Sequence, residues 1–571
     1  MSIRTLTFVF LLVPLFSIAQ KKAATDSVRY PQDYFRNPLD IPIFLAGNFG
    51  ECRPGHFHSG VDIKTLGKEN EPVHAAADGY ISRIKMEKGG FGHGLYITHP
   101  NGYTTLYAHL DDFIPALQKY VKKEQYEKKR WDVDIQLPPD QFPVKKGQQV
   151  AWSGNTGAST APHLHFEIRN TKTEHPLNPE LFGLPIVDNV APVPGEVAIY
   201  DLEESIYEQE PLIIPLKKVA GKYILSDTVK INAPIAGVGL NIDDFMEGSD
   251  NTIAFLNAKL YMDDSLQSEI KLDDIGYDET RYINAFADYK TKELKHKWVQ
   301  CFFKLRGNHL DSIYRFLNKS MGAINIEDKK VHEVKIIVKD DRNNSSTILF
   351  CIKSADQPKQ TIAHKSEIKF IAGQQNNFSD PNVTFSLDAK QLYDDIYFVF
   401  NKISAVGIYS DRYRLHYAYV PVHHYFELQM KPNKPVPFAL RSKVVIMYSD
   451  DKDEDGRVAT FEDNGWYKAK VRNFGTYWLD IDTTAPVIKS MQKNGANLSK
   501  AKQITFDVKD EVTSVRSFSG YLDGKWICFE QHGSSFFYKF DEHCPKGKHK
   551  LIFKAEDENE NASTYNLNFT R

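Results

Sequence analysis

The stretch HLHFEIR, residues 163–169, alternates polar and apolar side chains along its whole length. In a β-strand, successive side chains point to opposite faces, so the three apolar residues would share the face that packs on a core. His163 and His165 would share the other face with Glu167 and Arg169. The pattern predicts a strand that carries an imidazole-rich site on a sheet surface; the alternative is an ordinary polar face that happens to hold two histidines.

A second motif, His58-Ser59-Gly60-Val61-Asp62, adds a carboxylate and another imidazole. Gly60 and Val61 make a helix a poor local choice, and a straight strand would hold His58 and Asp62 ~13 Å apart. Gly60 permits a bend that brings the two side chains together. With one imidazole from residues 163–165, they would form a set of three nitrogen and oxygen donors. Such a set suits zinc and leaves a fourth coordination position open, as in catalytic zinc sites.

Together with Tyr107-Ala108-His109-Leu110, these elements resemble the lysostaphin-type zinc metallopeptidases, which are peptidoglycan endopeptidases with H-x-x-x-D, Y-x-H-L and H-x-H motifs. The resemblance covers about residues 45–180, and all five site positions of the family are filled. It implies a compact antiparallel β domain with a groove floored by its sheet. It also implies two sets of site residues: the zinc ligands His58, Asp62 and His165, and the catalytic residues His109 and His163.

The function implied by the resemblance is zinc-dependent hydrolysis of peptide cross-links in cell-wall peptidoglycan. The partners expected are therefore peptidoglycan peptides, with room for protein regulators. Which peptide bond is cleaved, and which catalytic histidine is the base, are not visible in the sequence. The alternative is a non-catalytic scaffold that binds the wall or activates another hydrolase.

The N-terminus predicts export. Arg4 precedes an apolar run at residues 6–19, and the small residues Ser17 and Ala19 fit a cleavage site. The run is shorter than the ~20 apolar residues of a spanning helix, and Pro14 interrupts it. We therefore expect a cleaved signal peptide, no stable membrane insertion afterwards, and a periplasmic or cell-envelope location.

Two internal repeats indicate accessory domains. DNVAPV at residues 188–193 matches DTTAPV at residues 482–487. Farther along each repeat, a histidine is followed at eight and twelve residues by Asp and Asn, and the residues between alternate as in a half-buried strand. Short alternating strands with regular turn signals are typical of immunoglobulin-like sandwiches. The predicted organisation is a signal peptide (1–20), an N-terminal lead-in (21–44), a zinc peptidase domain (45–187) and three β-sandwiches (188–354, 355–481 and 482–571).

Composition agrees with a large, mainly β protein. The 571 residues carry 71 Lys+Arg and 74 Asp+Glu, a formal net charge of −3. This balance excludes the basic character typical of nucleic-acid-binding proteins. Aromatic residues make up 12% of the chain, and aromatic side chains favour strands.

Residues 111–143 look like an insertion relative to the family. Ile114, Leu117 and Val121 would share one face of a helix, and Pro115 suits its first turn. The helix is either a wall or lid over the groove or a solvated element without that role.

Two further features stay open at this level. Asp451, Asp453, Asp455 and Glu462 fit the spacing of a calcium loop, although the flanking residues favour strands and a solvated acidic turn is the alternative. Four cysteines are candidates for two bridges whose pairing the sequence does not fix: Cys301, Cys351, Cys528 and Cys544.

Overall fold

A computed structural model describes residues 30–355, 363–462 and 464–571. The predicted signal peptide at residues 1–20 lies outside the described residues, as does the first part of the lead-in. The predicted fold class is confirmed: a compact antiparallel β unit is followed by three pairs of stacked sheets. Among the described residues, no helix is long and apolar enough to cross a membrane.

The N-terminal unit, residues 45–187, is built on one large antiparallel sheet. Its strands run in the order β1-β4-β13-β8-β7-β6-β10, and β5, β12 and β9 form a smaller sheet. Apolar side chains from both sheets make one buried core. The elements are β1 Leu45–Gly47, β2 Cys52–Arg53, β3 His56–Phe57, β4 Val61–Lys64, β5 Pro72–His74, β6 Gly79–Met86, β7 His93–Thr98, β8 Tyr103–Ala108, β9 Leu110–Phe113, α1 Pro115–Lys128, β10 Val133–Gln136, β11 Pro143–Val144, β12 Gln149–Ser153, β13 His163–Asn170, β14 Pro176–Leu177 and a 3₁₀ turn Pro179–Phe182.

The first sandwich, residues 188–354, stacks a sheet ordered β16-β15-β20-β23 on one ordered β17-β18-β27-β26-β21-β22-β24. The repeat predicted from His332 onward is the hairpin β26–β27, paired residue by residue from His332 to Lys339. The elements are β15 Val193–Asp201, β16 Leu212–Pro215, β17 Lys217–Val219, β18 Lys222–Ile224, β19 Val229–Ile231, β20 Ile235–Asp243, β21 Asn257–Met262, β22 Ser265–Lys271, a 3₁₀ turn Thr280–Tyr282, α2 Ile283–Phe286, α3 Tyr289–Lys295, β23 Val299–Cys301, β24 Tyr314–Leu317, β25 Ile324–Asn325, β26 His332–Lys339 and β27 Ser345–Ser354.

The second sandwich, residues 355–481, stacks two five-stranded sheets, ordered β29-β30-β34-β38-β37 and β32-β33-β39-β35-β36. Its core is rich in phenylalanine and tyrosine, as the composition indicated. The elements are β28 Lys369–Phe370, β29 Asn376–Asp380, β30 Val383–Leu387, β31 Ile396–Tyr397, β32 Phe400–Ile403, β33 Arg412–Leu415, β34 Pro421–Met430, a 3₁₀ helix Phe438–Lys443, β35 Val444–Ser449, β36 Glu454–Val458, β37 Thr460–Phe461, β38 Tyr467–Asn473 and β39 Gly475–Ile481.

The third sandwich, residues 482–571, stacks β40-β42-β46-β45 on β41-β48-β47-β43-β44 around its own core. The second copy of the repeat forms the hairpin β47–β48. The elements are β40 Val487–Ser490, β41 Ala496–Asn497, β42 Gln503–Lys509, β43 Val515–Leu522, β44 Lys525–Ile527, β45 Glu530–His532, β46 Ser535–Lys539, β47 Lys548–Asp557 and β48 Ala562–Thr570.

The units are joined by buried contacts. One continuous apolar core runs through the first and second sandwiches and takes in Phe49 and Phe57 of the N-terminal unit. Both phenylalanines are almost fully buried, at 1% and 2% exposure. No strand crosses the predicted divisions within the described residues, and we propose them as domain boundaries. The N-terminal unit nevertheless depends on the first sandwich to cover part of its apolar surface.

The predicted helix of the insert is α1. Pro115 occupies its first turn, and Leu117 and Val121 are buried. On its other side the helix contacts the third sandwich: Lys122 pairs with Asp541 at 3.0 Å, and the ring of Tyr126 stacks on His543. The helix is therefore not free in solvent: it packs between the N-terminal unit and the third sandwich, and none of its residues lines the groove beside His109 and His163.

The two open features from the sequence have clear structural outcomes. Strand β36 begins inside the candidate calcium loop, and Asp451, Asp455 and Glu462 pair with arginine or lysine side chains. Among the described residues, these carboxylates do not converge on a common point. All five cysteines are free thiols, so neither predicted disulfide candidate is formed.

Gly60 is required for a reason the sequence did not show. A Cβ at this position would lie 2.4 Å from the backbone oxygen of Phe166 and 2.8 Å from Glu167 Cγ. The close approach of the chain to β13, rather than a left-handed conformation, excludes a side chain here.

We predict that Gly60→Ala destabilises the protein by about 1–3 kcal/mol, because an added methyl group at a backbone contact must separate β4 from β13. Thermal unfolding of the full chain measures this. Gly89→Ala is the matched control, since a Cβ there meets nothing within 4 Å. Equal melting temperatures for the two variants would contradict this explanation.

Candidate metal centre and catalytic site

Strand register brings the three sequence motifs together. Strand β13 lies between β4 and β8, and His165 is the register partner of Asp62 on one side and of Ala108 on the other. His109 directly follows Ala108. Because neighbouring strands lie about 4.8 Å apart, residues more than 50 positions apart in the chain meet across three adjacent strands.

The three predicted ligands converge. His58 Nε2 lies 3.1 Å from Asp62 Oδ1 and 3.0 Å from His165 Nδ1, and the latter two atoms are 2.8 Å apart. All three residues are at most 4% exposed. Ligand atoms on a tetrahedral zinc ion are about 3.3 Å from one another, so these three atoms fit around one such ion after small adjustments.

Hydrogen bonds on the far side of each ring determine which nitrogen faces the cluster. His58 Nδ1 donates to the backbone oxygen of Asn48 at 2.8 Å, because a carbonyl can only accept. His165 Nε2 donates to Glu167 Oε1 at 2.9 Å. His58 Nε2 and His165 Nδ1 are therefore the nitrogens that face Asp62, and each would offer a lone pair to a metal ion in place of a proton.

The two predicted catalytic histidines stand beside this cluster. The rings of His109 and His163 are 4.7 Å apart, and the ring of His109 is 5.8 Å from that of His165. His109 has a φ of 58°, a left-handed conformation that is uncommon outside glycine and often marks a functional site. Both residues line a groove of about 680 Å³.

His109 and His163 also present a defined nitrogen. His109 Nδ1 donates to the backbone oxygen of Thr156 at 2.7 Å, and His163 Nδ1 donates to that of Ala161 at 2.8 Å. His163 Nε2 is buried without a hydrogen-bond partner and lies 3.3 Å from Asp62 Oδ1. Each ring thus keeps Nε2 available to exchange a proton with a bound molecule.

The electrostatic environment suits a cation. Burial lowers the pKa of His58 to about 4 and that of His109 to about 3, so both are neutral at pH 7. Burial opposes ionisation of Asp62, but the neighbouring His58 and the hydrogen bonds it accepts hold its pKa well below the usual value. Burial also opposes a charge on His165, yet its hydrogen bonds to Asp62 and Glu167 raise its pKa to about 9. Two carboxylates around one imidazole favour positive charge, which a divalent ion would supply.

Two important contacts come from residues that the sequence gave no reason to select. Arg53 Nη2 pairs with the second oxygen of Asp62 at 2.6 Å. The hydroxyl of Tyr277, which belongs to the first sandwich, donates to Glu167 at 2.8 Å and accepts from Arg169 Nη2 at 2.6 Å. Tyr277 lies 110 residues from Glu167, and Arg53 lies nine residues from Asp62 on a separate short strand, so no periodic pattern reveals either contact. Glu167 and Arg169 were expected only to share the polar face of β13.

Comparison with known proteins identifies the unit that carries this site. Residues 56–126 and 136–179 match the model of Peptidase family M23. This chain contains an M23 peptidase domain. The resemblance to the lysostaphin-type peptidases is thereby confirmed. The unmatched residues 127–135 lie inside the predicted insert, and residues 368–482 match a Zu5-like domain, which falls in the second sandwich.

Individual relatives match only part of this chain. The DD-carboxypeptidase/endopeptidase Mpg of Neisseria meningitidis is 36% identical over 128 residues, 22% of this chain and 23% of that protein. The murein hydrolase activator NlpD of Salmonella dublin is 30% identical over 165 residues, 29% of this chain and 36% of that protein. The catalytic domain of lysostaphin from Staphylococcus simulans is 27% identical, with a TM-score of 0.17 and coverage of 22% of this chain and 78% of that one. The chain thus spans well under half the length of these two curated relatives.

We predict that Glu167→Gln destabilises the protein by about 3–5 kcal/mol, because it leaves Arg169 buried without its ion-pair partner. Tyr277→Phe removes one hydroxyl from the same network and is expected to cost only about 1 kcal/mol. Urea unfolding of the full chain compares the two variants. If the two variants show the same small decrease in the free energy of unfolding, the buried ion pair is not what supports His165.

Proposed function

We propose that this protein is an exported zinc-dependent endopeptidase that hydrolyses peptide cross-links of cell-wall peptidoglycan. The observation that carries the proposal is the convergence of His58, Asp62 and His165, with His109 and His163 beside them. The name of the Neisseria relative, a carboxypeptidase/endopeptidase, supports the peptidase activity. Export is supported by the N-terminal sequence.

His58, Asp62 and His165 would hold zinc through His58 Nε2, Asp62 Oδ1 and His165 Nδ1. When bound there, zinc supplies Lewis-acid chemistry, lowering the pKa of a water and polarising a peptide carbonyl. Arg53 binds the other oxygen of Asp62 and so keeps that carboxylate directed at the site with a single oxygen. Glu167 orients His165 from behind.

His109 and His163 perform the proton transfers in this proposal. Both are held by backbone carbonyls at Nδ1, so each can take a proton only at Nε2. The low pKa of His109 keeps it neutral and able to accept a proton from an attacking water. Once protonated, either imidazole can donate to the oxygen that gains negative charge or to the departing amine.

The substrate must reach this site through the groove. Its walls come from two units: Ser159 and Pro162 of the M23 domain, and Gly248 and Asn251 from the loop that joins β20 to β21 of the first sandwich. An open groove whose walls come from two units can accommodate an extended peptide. Cross-linked stem peptides fit that description.

Removal of one candidate ligand should abolish metal binding and activity together. We expect wild type to retain about one zinc ion per chain after dialysis and His165→Ala to retain none. Digestion of purified peptidoglycan should release fragments with wild type alone, a chelator should stop the release, and added zinc should restore it. The control is His175→Ala, since His175 lies outside the site and pairs with Asp274 at 3.0 Å. Identical fragments from wild type and His165→Ala would refute the proposal.

The neighbouring histidines should behave differently. We predict that His109→Gln or His163→Gln lowers the rate of cross-link cleavage about 10²–10⁴-fold, because proton transfer is lost. The zinc content should stay at the wild-type value, since neither residue belongs to the ligand set. Loss of zinc from either variant would show that its imidazole binds the metal instead.

An activator role is the second candidate, because one relative is named as a murein hydrolase activator. Digestion of purified peptidoglycan distinguishes an activator from a peptidase. Wild type that binds zinc, releases no fragments and increases release by a separate peptidoglycan hydrolase would establish the activator.

A further inference from the structure

Two clusters of three aspartates lie away from the M23 site, one in each copy of the sequence repeat. In each cluster, one oxygen from every carboxylate lies within 4.8 Å of the others. The first aspartate cluster consists of Asp188, Asp244 and Asp340. The second aspartate cluster consists of Asp482, Asp510 and Asp557.

The first cluster is assembled at the end of a strand pair. Asp188 belongs to the linker that enters the first sandwich, and five residues later Val193 begins β15. Val193 is the register partner of Asp243, the last residue of β20, and Asp244 comes next. Asp340 directly follows β26. The carboxylates thus come from the linker and from two strand ends.

The second cluster has the same construction. Asp482 belongs to the linker that enters the third sandwich, and five residues later Val487 begins β40. Val487 is the register partner of Lys509, the last residue of β42, and Asp510 comes next. Asp557 is the last residue of β47, the counterpart of β26. Two separate sandwiches therefore place three carboxylates at equivalent points, although Asp244 and Asp510 lie outside the repeated sequence motifs.

The supporting contacts are equivalent as well. Asn344 Nδ2 donates to Asp340 Oδ2 at 2.7 Å and to the backbone oxygen of Asp188 at 3.2 Å. Asn561 makes the same two contacts in the second cluster, at 2.8 and 3.2 Å. Each asparagine fixes the linker to the strand end.

One carboxylate oxygen in each cluster has no hydrogen-bond partner. Asp244 is 1% exposed; its Oδ1 accepts from the backbone nitrogen of Phe245, while its buried Oδ2 has no donor. In the second cluster Asp510 is only partly buried; its Oδ1 accepts from the backbone nitrogens of Val512 and Thr513, while its Oδ2 is buried and has no donor. A carboxylate oxygen that is shielded from water and lacks a donor is costly unless a cation satisfies it.

The neighbouring carboxylates disfavour one another's ionisation, and the cationic side chains near each cluster have other partners. Burial, reinforced by the neighbouring carboxylates, raises the pKa of Asp188 to about 6 and that of Asp244 to about 8. The nearby Arg342 is itself paired with Asp341 at 2.9 Å. At the second cluster, Lys443 donates to the side-chain oxygen of Asn561.

We propose that each aspartate cluster binds one Ca²⁺ ion and that the two ions fix the linkers that enter the first and third sandwiches. The donors are all oxygen, which favours a hard cation over zinc or copper. Two oxygens bound to one Ca²⁺ at about 2.4 Å are at most about 4.8 Å apart, and the three oxygens of each cluster lie within that limit of one another. The loop after Asp244 carries Gly248 and Asn251 of the groove, so the first ion also anchors one wall of the M23 site.

Calcium stoichiometry of the full chain tests the inference. Protein freed of metal by a chelator, then given one equivalent of zinc, is dialysed against radioactive Ca²⁺ at about 1 mM, the range of extracellular calcium modules. We expect two bound Ca²⁺ per wild-type chain, one for Asp244→Asn, one for Asp510→Asn and none for the double variant. The matched control Asp453→Asn, which alters the exposed acidic turn before β36, should retain two.

Melting temperatures distinguish a variant that has lost its Ca²⁺ site from a variant that binds no Ca²⁺ because it is misfolded. In chelator, the asparagine variants should melt near the wild-type temperature, because Asn has nearly the size and shape of Asp and neither cluster then holds an ion. Added CaCl₂ should then raise the melting temperature of wild type and leave that of the double variant unchanged. Wild type that binds no Ca²⁺, an Asp244→Asn chain that still binds two, or stoichiometric binding of Mg²⁺ without Ca²⁺ would each overturn the inference.

Discussion

The structure of the site depends on the register of one strand. Strand β13 pairs with β4 and β8 at once, which sets His165 opposite Asp62 and beside the residue before His109. A slip of one residue would turn both histidines of β13 into the core and bring Leu164 and Phe166 to the groove. The apolar face of β13, which is fully buried, therefore fixes the chemistry of its polar face.

Charged and polar side chains behind the three candidate ligands support the polar face, each of them bound to the next. Asp62 is bound by Arg53, and His165 by Glu167, which in turn is bound by Arg169 and Tyr277. Each buried charge has a partner of opposite sign or a donor, so the network can hold a divalent ion without leaving a charge unpaired. Tyr277 belongs to the first sandwich. The M23 domain consequently obtains part of its electrostatic support, as well as cover for Phe49 and Phe57, from the unit that follows it.

Much of this arrangement could be predicted from the sequence, and the exceptions share one cause. Alternation along residues 163–169 predicted the strand and its polar face, and the two DxxAPV repeats predicted sandwich starts. The sequence did not predict the roles of Arg53, Tyr277 and the carbonyl of Thr156. These roles arise from contacts between separate elements of the fold, which no sequence pattern specifies. At the acidic turn near Asp455 the residue spacing fits a calcium loop, and the sequence left open a solvated turn as the alternative. The structure agrees with that alternative, because β36 pairs with β35 and three of the carboxylates pair with arginine or lysine side chains.

Each of the four units contacts the next along the chain, and the third sandwich also contacts the M23 domain. These interfaces differ in how much apolar surface they bury. The M23 domain and the first two sandwiches share one apolar core, whereas the third sandwich meets the second through the Gly456–Val512 backbone hydrogen bond and the Lys443–Asn559 contact. It returns to the M23 domain through Lys122, Tyr126 and a Lys539–Asp111 ion pair at 3.3 Å. Exposed ion pairs contribute only about 0–1 kcal/mol each, far less than burial of an apolar core. The M23 domain and the third sandwich keep separate apolar cores, and they meet through polar and aromatic contacts around helix α1. Separation of the third sandwich from α1 would leave His58, Asp62 and His165 in place, because the groups that support them belong to the M23 domain and, through Tyr277, to the first sandwich.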